Sequence, residues 1–202
     1  MITGPKYKIA KRLGAPIFEK TQTAKFALSK SRGEKKGGRR KPMSEFKKQL
    51  FEKQKMRFTY GLREKQFYNY VVDAISAKNI KTTDRLFENV ERRVDNVVYR
   101  LGFAQTRALA RQMVSHGHIT LNGKKITIPS ASVKEGDIIS IRENSKKKTL
   151  FATVSEKTKS YTPPNWLVLD SEKLTGVVKG IPKPGVGELL FDMDAVLQFY
   201  SR

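Results

Sequence analysis

The chain has 202 residues, no cysteine, and 41 lysines and arginines against 19 acidic residues, for a net charge of +22. A surplus of that size calls for a polyanion, and nucleic acid is the partner it implies for a chain long enough for one or two domains. The composition excludes disulfides and thiolate metal sites, leaves two histidines too few to close a tetrahedral zinc shell, and offers no apolar run near the ~20 residues that cross a bilayer.

The charge is uneven. Residues 1–60 carry 18 basic against 4 acidic side chains and residues 92–148 carry 12 against 4, while 61–91 and 149–202 are each balanced. Two separate RNA-facing surfaces are therefore expected. Residues 1–42 read as a basic extended arm: Ser31 to Pro42 is too charged and glycine-rich to form a core and should order against RNA, with Lys6, Lys8, Lys11 and Arg12 as candidate contacts.

A helical region is expected over 43–83. Ser44 can cap a helix that sets Phe46, Leu50 and Phe51 against a cationic face of Lys47, Lys48, Lys53, Lys55 and Arg57, a rail for phosphates. A further helix over Arg63–Lys78 carries Phe67, Tyr68, Val71, Val72 and Ile75, read as core because helical spacing of aromatics more often reflects packing than base stacking.

Residues 84–148 read as a compact αα-plus-hairpin unit. Val90, Val94, Val97, Val98 and Leu101 form one apolar stripe on a helix from Asp84 to Leu101, which Gly102 stops. Thr106 can cap a second helix whose Leu109, Ala110, Met113 and Val114 face a core, with Arg107 and Arg111 one turn apart on its outer side and Gly117 at its end. The pair Asn122-Gly123 between His118–Leu121 and Lys124–Ile128 predicts a hairpin with a type I′ turn, and a later strand, Ile138–Arg142, follows Glu135-Gly136-Asp137. Expected phosphate ligands are Arg92, Arg93, Arg100, Arg107, Arg111, Lys124 and Lys125, together with the helix N-terminus at Thr106; His116 and His118 are read as capping or RNA-contacting groups rather than metal ligands.

After a helical or irregular stretch to Ser160, Thr162-Pro163-Pro164 breaks the chain, Trp166–Asp170 and Thr175–Lys179 predict short strands, and Leu189–Tyr200 is apolar enough to return to the helical part. Residues 149–202 are expected to form a C-terminal segment packed on that part. The fold class is α+β. No nucleophile, acid–base pair or cofactor box stands out, so neither enzyme chemistry nor a cofactor is expected.

The run Arg92-Arg93-Val94-Asp95-Asn96-Val97-Val98-Tyr99-Arg100-Leu101-Gly102-Phe103-Ala104-Gln105-Thr106-Arg107, continued by Arg111 to Ile119 and by Asn122-Gly123, resembles the RNA-binding domain named after the fourth protein of the small ribosomal subunit. Thr3-Gly4-Pro5-Lys6, Lys11-Arg12-Leu13-Gly14, Arg40-Lys41-Pro42, Tyr60-Gly61, Glu64-Lys65-Gln66-Phe67, Trp166-Leu167 and Phe199-Tyr200-Ser201-Arg202 extend the likeness to the bacterial-type family of that protein along nearly the whole chain. With Tyr7 where zinc-binding members carry a cysteine, the chain is similar to the zinc-free members.

The resemblance implies a structural ribosomal component. Its implied role is to bind the five-prime domain of small-subunit ribosomal RNA directly, nucleate assembly there and influence decoding accuracy beside small-subunit protein five. It also implies a lining of the channel through which messenger RNA enters, with Arg39, Arg40 and Lys41 as candidates. The expected place is the small subunit in the cytoplasm or an organelle matrix, with neither membrane contact nor self-association. A pseudouridine synthase shares the module, but only about 60 residues follow it here and they lack a catalytic motif; the heat-shock relative is shorter and lacks the N-terminal matches.

Overall fold

The computed structural model describes residues 4–34, 42–152, 154–185 and 189–201. The chain forms two compact units, one of Met1–Thr83 with Pro184–Arg202 and one of Asp84–Lys183.

The first unit is helical. Residues expected to run extended instead form α1 (Lys6–Leu13), a 3-10 turn (Glu19–Thr21) and α2 (Ala24–Glu34). Ala10, Leu13, Ala15, Ile17, Phe18 and Phe26 make a small core, closed by Tyr7, Ile9, Phe51 and Phe58. The arm folds because these apolar residues are spaced to meet one another, while Lys8, Lys11 and Arg12 stay exposed on the other side of α1 and Lys6, also exposed, lies with its ammonium 5.8 Å from the Phe18 ring centroid. Gly14 takes φ +72° to turn the chain out of α1.

Ser44 caps α3 (Glu45–Thr59), its Oγ accepting from the Lys47 amide at 3.4 Å, and α4 spans Glu64–Ser76. On α4 Phe67, Val71 and Ala74 are buried, whereas Tyr68, Val72 and Ile75 are exposed, so the apolar row expected to be wholly core is split between two faces. The last helix, which follows the second unit in sequence, is Met193–Tyr200; Asp192 caps it by accepting from the amides of Asp194 and Ala195. It lies on α3, where Gln49 donates to Gln198 at 3.2 Å and Phe46 and Phe199 have ring centroids 5.5 Å apart.

Beside this contact the Lys53 ammonium donates to Glu64 at 2.6 Å, and the Tyr200 hydroxyl donates to the same oxygen at 2.7 Å. Burial alone would raise the Glu64 carboxyl. The hydrogen bonds from Lys53 and Tyr200, with the charges of Lys53 and Arg57, outweigh it and hold the group below its ordinary value. A depressed carboxylate stabilises the fold above its unfolded value and loses that contribution as pH falls through its folded value. Glu64→Gln should accordingly lower thermal stability near neutral pH and flatten its decline on acidification; melts of both proteins across the range from about pH 3 to about pH 7 check this, and parallel curves would refute it.

The second unit opens with α5 (Thr82–Glu91) and α6 (Val94–Arg100), two helices where the sequence predicts one from 84 to 101. The break has a tertiary cause. The amides of Val94 and Asp95 donate to the carbonyls of Ala131 and Pro129, and the Arg92 carbonyl accepts from the Val133 amide, so the 129–133 segment takes backbone groups that a continuous helix would have used. The apolar periodicity survives because Val94, Val97, Val98 and Leu101 still share one core.

Thr106 Oγ1 accepts from the Leu109 amide at 3.1 Å and starts α7 (Arg107–Ser115), which packs on α6. Strands β1 (Ile119–Leu121) and β2 (Lys124–Ile126) are joined by Asn122 and Gly123 at φ +50° and +77°, the positive values a type I′ turn requires. Strand β3 (Ile138–Ile141), three short helices (Glu143–Lys146, Thr149–Ala152, Val154–Lys159), β4 (Leu167–Asp170) and β5 (Thr175–Val178) complete an antiparallel sheet ordered β2-β1-β3-β5-β4. Because β5 pairs with β3, with Ile138 opposite Val177, residues up to Lys183 belong to this unit. The boundary expected after 148 falls after 183, and only the segment beyond it returns to the helical unit.

Candidate nucleic-acid interface

The cations of α5–α7 are tied to a few buried acceptors. Asp95, 3 % exposed, receives Arg93 through both oxygens, at 3.0 and 2.8 Å, and Arg111 Nε at 2.8 Å. Glu91, fully buried, takes Arg100 through Nε at 2.9 Å and Nη2 at 2.8 Å, and receives the Asn96 amide at 2.9 Å. Asn96 Oδ1 in turn accepts from Arg107 Nε at 2.8 Å, and the Arg107 guanidinium lies 4.3 Å from the centroid of the Tyr99 ring.

Helix geometry makes this possible. Arg107 and Arg111, one turn apart on α7, face the row Asp95, Asn96 and Tyr99 on α6, with their Cα atoms about 6 Å apart along the axis. Each planar guanidinium can engage an acceptor below it while presenting charge outward. Arg93 and Arg111 thus meet at the Asp95 carboxylate, Arg100 is held by Glu91, and Arg107 gives its Nε to a neutral amide oxygen.

The expected ligands separate on this geometry. Arg93 is 3 % exposed and held bidentate by Asp95, which makes it part of the interior and not a phosphate ligand as expected. Arg92 is bound to Glu88 at 2.6 Å and Arg100 to Glu91, with side chains only 19 % and 17 % exposed. Arg107 and Arg111 are half-buried at the face of α7, directly after the capped N-terminus at Thr106.

Lys124 and Lys125 are exposed on β2, the Lys125 stem lying over Gly117. His116 is exposed. His118 is half-buried, its Nδ1 3.0 Å from Ser145 Oγ and its ring edge-on to Phe151. Burial, then the charges of Lys148, His116 and Arg142, push the His118 imidazole below its ordinary value. Arg142 and Lys148 are exposed cations at this spot that the spacing of the sequence does not single out.

The rail expected on α3 is interrupted. Lys53 is buried on Glu64 and lies 4.6 Å from the Phe199 ring centroid, Lys55 is paired with Glu52 at 2.7 Å, and Arg57 reaches Glu64 and stacks on Phe58. These three serve packing in the helical unit, because carboxylates from α3 and α4 and rings from the last helix reach them first. Lys47 and Lys48 remain exposed. Arg39, Arg40 and Lys41 lie outside the described residues. Among the described residues no group of three or more histidines and carboxylates is placed to hold a metal ion.

Residues 1–92 match the ribosomal protein S4/S9 N-terminal domain and residues 92–139 match the S4 domain. The chain is 47 % identical over 165 residues to small ribosomal subunit protein uS4 of Syntrophomonas wolfei, covering 82 % of this chain and 78 % of that one. It is 40 % identical to the protein of that name from Herpetosiphon aurantiacus, over 99 % of this chain and 98 % of the relative, and 40 % identical to that of Aquifex aeolicus, over 98 % and 97 %.

Proposed function

The chain belongs to the family of small ribosomal subunit protein uS4, and from that membership we propose that it nucleates assembly of the five-prime domain of small-subunit ribosomal RNA by gripping a folded junction there. It is a structural component of the small subunit that binds ribosomal RNA, and not an enzyme. The observation that carries the finer reading is the arginine group of α6 and α7, where Arg107 and Arg111, one turn apart directly after a capped helix N-terminus, are held half-exposed by Asn96 and Asp95. Folded RNA hides its base edges in a deep groove, so a protein recognises it through phosphate spacing and shape, which fixed guanidiniums suit.

The exposed cations of α1 supply a second contact in this reading. Arg39, Arg40 and Lys41 line the path of incoming messenger, small-subunit protein five is the principal protein neighbour, and the protein acts on decoding accuracy from the small subunit of cytoplasmic ribosomes. Filter binding of the full chain to separate transcripts of the five-prime and three-prime domains tests the assembly role. Preference for the five-prime transcript by at least about ten-fold is expected, since a transcript of the wrong shape leaves some of these cations without a phosphate. Equal affinities would overturn it.

A further inference from the structure

We propose that Asp95, Asn96 and Tyr99 are positioning residues: from beneath, they hold Arg107 and Arg111 of α7 as a fixed pair for adjacent phosphates, with Glu91 anchoring Asn96. The inference rests on the reading of this face as an RNA surface and adds how its affinity is set.

The chemistry has an apparent contradiction at its centre. Two carboxylates sit inside a group whose partner is a polyanion, and by charge alone they weaken the attraction. Their burial changes the sign. Glu91 is fully buried and Asp95 is 3 % exposed, so both face guanidiniums and not the solvent from which RNA would approach. Arg111 gives its Nε to Asp95 at 2.8 Å and is 26 % exposed at the side chain. Arg107 gives its Nε to Asn96 at 2.8 Å and rests 4.3 Å from the Tyr99 ring centroid, and Asn96 is itself fixed by the Glu91 carboxylate at 2.9 Å and the Glu91 carbonyl at 3.1 Å. A chain of short contacts thus runs from the interior to both side chains. Arginine is rotamer-rich, and ordering it only on binding costs affinity, so a side chain already held in place binds more tightly than the same charge on a loose stem.

A merely structural role for the same residues predicts lower stability with unchanged affinity of the folded protein. The two are separable by affinity measurements on the full chain with small-subunit ribosomal RNA as the probe. The double change Arg93→Met with Asp95→Leu removes one charge of each sign, leaves net charge unchanged and strands neither member of the Arg93–Asp95 pair, yet takes away the carboxylate that receives Arg111 Nε. Affinity about three- to ten-fold weaker is expected, with folding verified by circular dichroism. Wild-type affinity in a folded protein overturns the proposal.

Tyr99 gives an independent test should that variant fail to fold. Tyr99→Leu should weaken binding several-fold, Tyr99→Phe should restore it, and in an Arg107→Gln background Tyr99→Leu should add nothing. A full Tyr99→Leu effect in that background means that the ring does not act through Arg107, and overturns the proposal for it. Retention of wild-type affinity by the Arg107→Glu/Arg111→Glu protein is a different failure: the face then binds no RNA, and the reading beneath the proposal falls with it.

Discussion

Replacing Arg107 and Arg111 together by glutamate should lower the affinity of the full chain for small-subunit ribosomal RNA by about ten- to a hundred-fold, as two charge-assisted phosphate contacts turn into repulsions worth roughly 1–3 kcal/mol in total. The effect should shrink as salt rises. Every phosphate that is no longer neutralised takes about 0.7–0.9 from the slope of log affinity against log salt, because fewer condensed counterions are released. One complication comes from the site itself: Arg111 Nε rests on Asp95 at 2.8 Å, so a glutamate there meets a buried carboxylate as well as the RNA. The neutral pair Arg107→Gln/Arg111→Gln separates the two. It should show the same drop in slope with a smaller drop in affinity, whereas wild-type slopes for both proteins would mean that neither arginine touches a phosphate.

Local chemistry was legible in the sequence wherever a single residue decides the backbone. Thr106, Gly117 and the pair Asn122-Gly123 bound the helix and hairpin where they were expected, because a cap, a left-handed glycine and a type I′ turn act within a few residues. What escaped depends on distant partners. The helix break at Arg92-Arg93 needs the carbonyls of Pro129 and Ala131, some 35 residues on, and the placement of β4 and β5 needs β3. The helices of the first 34 residues were hidden by charge: Ile17, Phe18 and Phe26 join Ala10 and Leu13 in a core that Phe51 and Phe58 of α3 help to close.

Arginine exposure was the least legible property of the site. Arg93 lies two residues from Asp95, a short-range signal present in the sequence, since a carboxylate that close can bind the guanidinium side-on and take it into the interior. Arg100 meets Glu91, nine positions earlier on another helix, and Lys53 meets Glu64 across a turn; no spacing rule on one helix finds these. The surplus of basic residues identifies the partner class correctly but overstates how many of them are offered to it.

The arginine pair is only as fixed as the helix beneath its acceptors, and the end of α6 comes close to the sheet at Gly176. Gly176 of β5 has no side chain, and a Cβ built there would stand 2.5 Å from Cδ2 and 3.0 Å from Cγ of Leu101, which is fully buried at the end of α6. Gly176→Val should therefore destabilise the unit by about 1–3 kcal/mol through overpacking, since a buried leucine has no solvent into which to retreat. Leu101→Ala should cost about 2–5 kcal/mol through the opposite fault, an unfilled space. Combined, the two faults compensate: the valine branches enter the volume the leucine vacates, and the double variant should lose less than the two single losses added together by about 1 kcal/mol or more. Denaturant unfolding of the three proteins measures this. Strict additivity would show that Leu101 and Gly176 are not in contact, and with that the close approach of α6 to the sheet, on which the rigidity of Asp95, Asn96 and Tyr99 depends, would have to be abandoned.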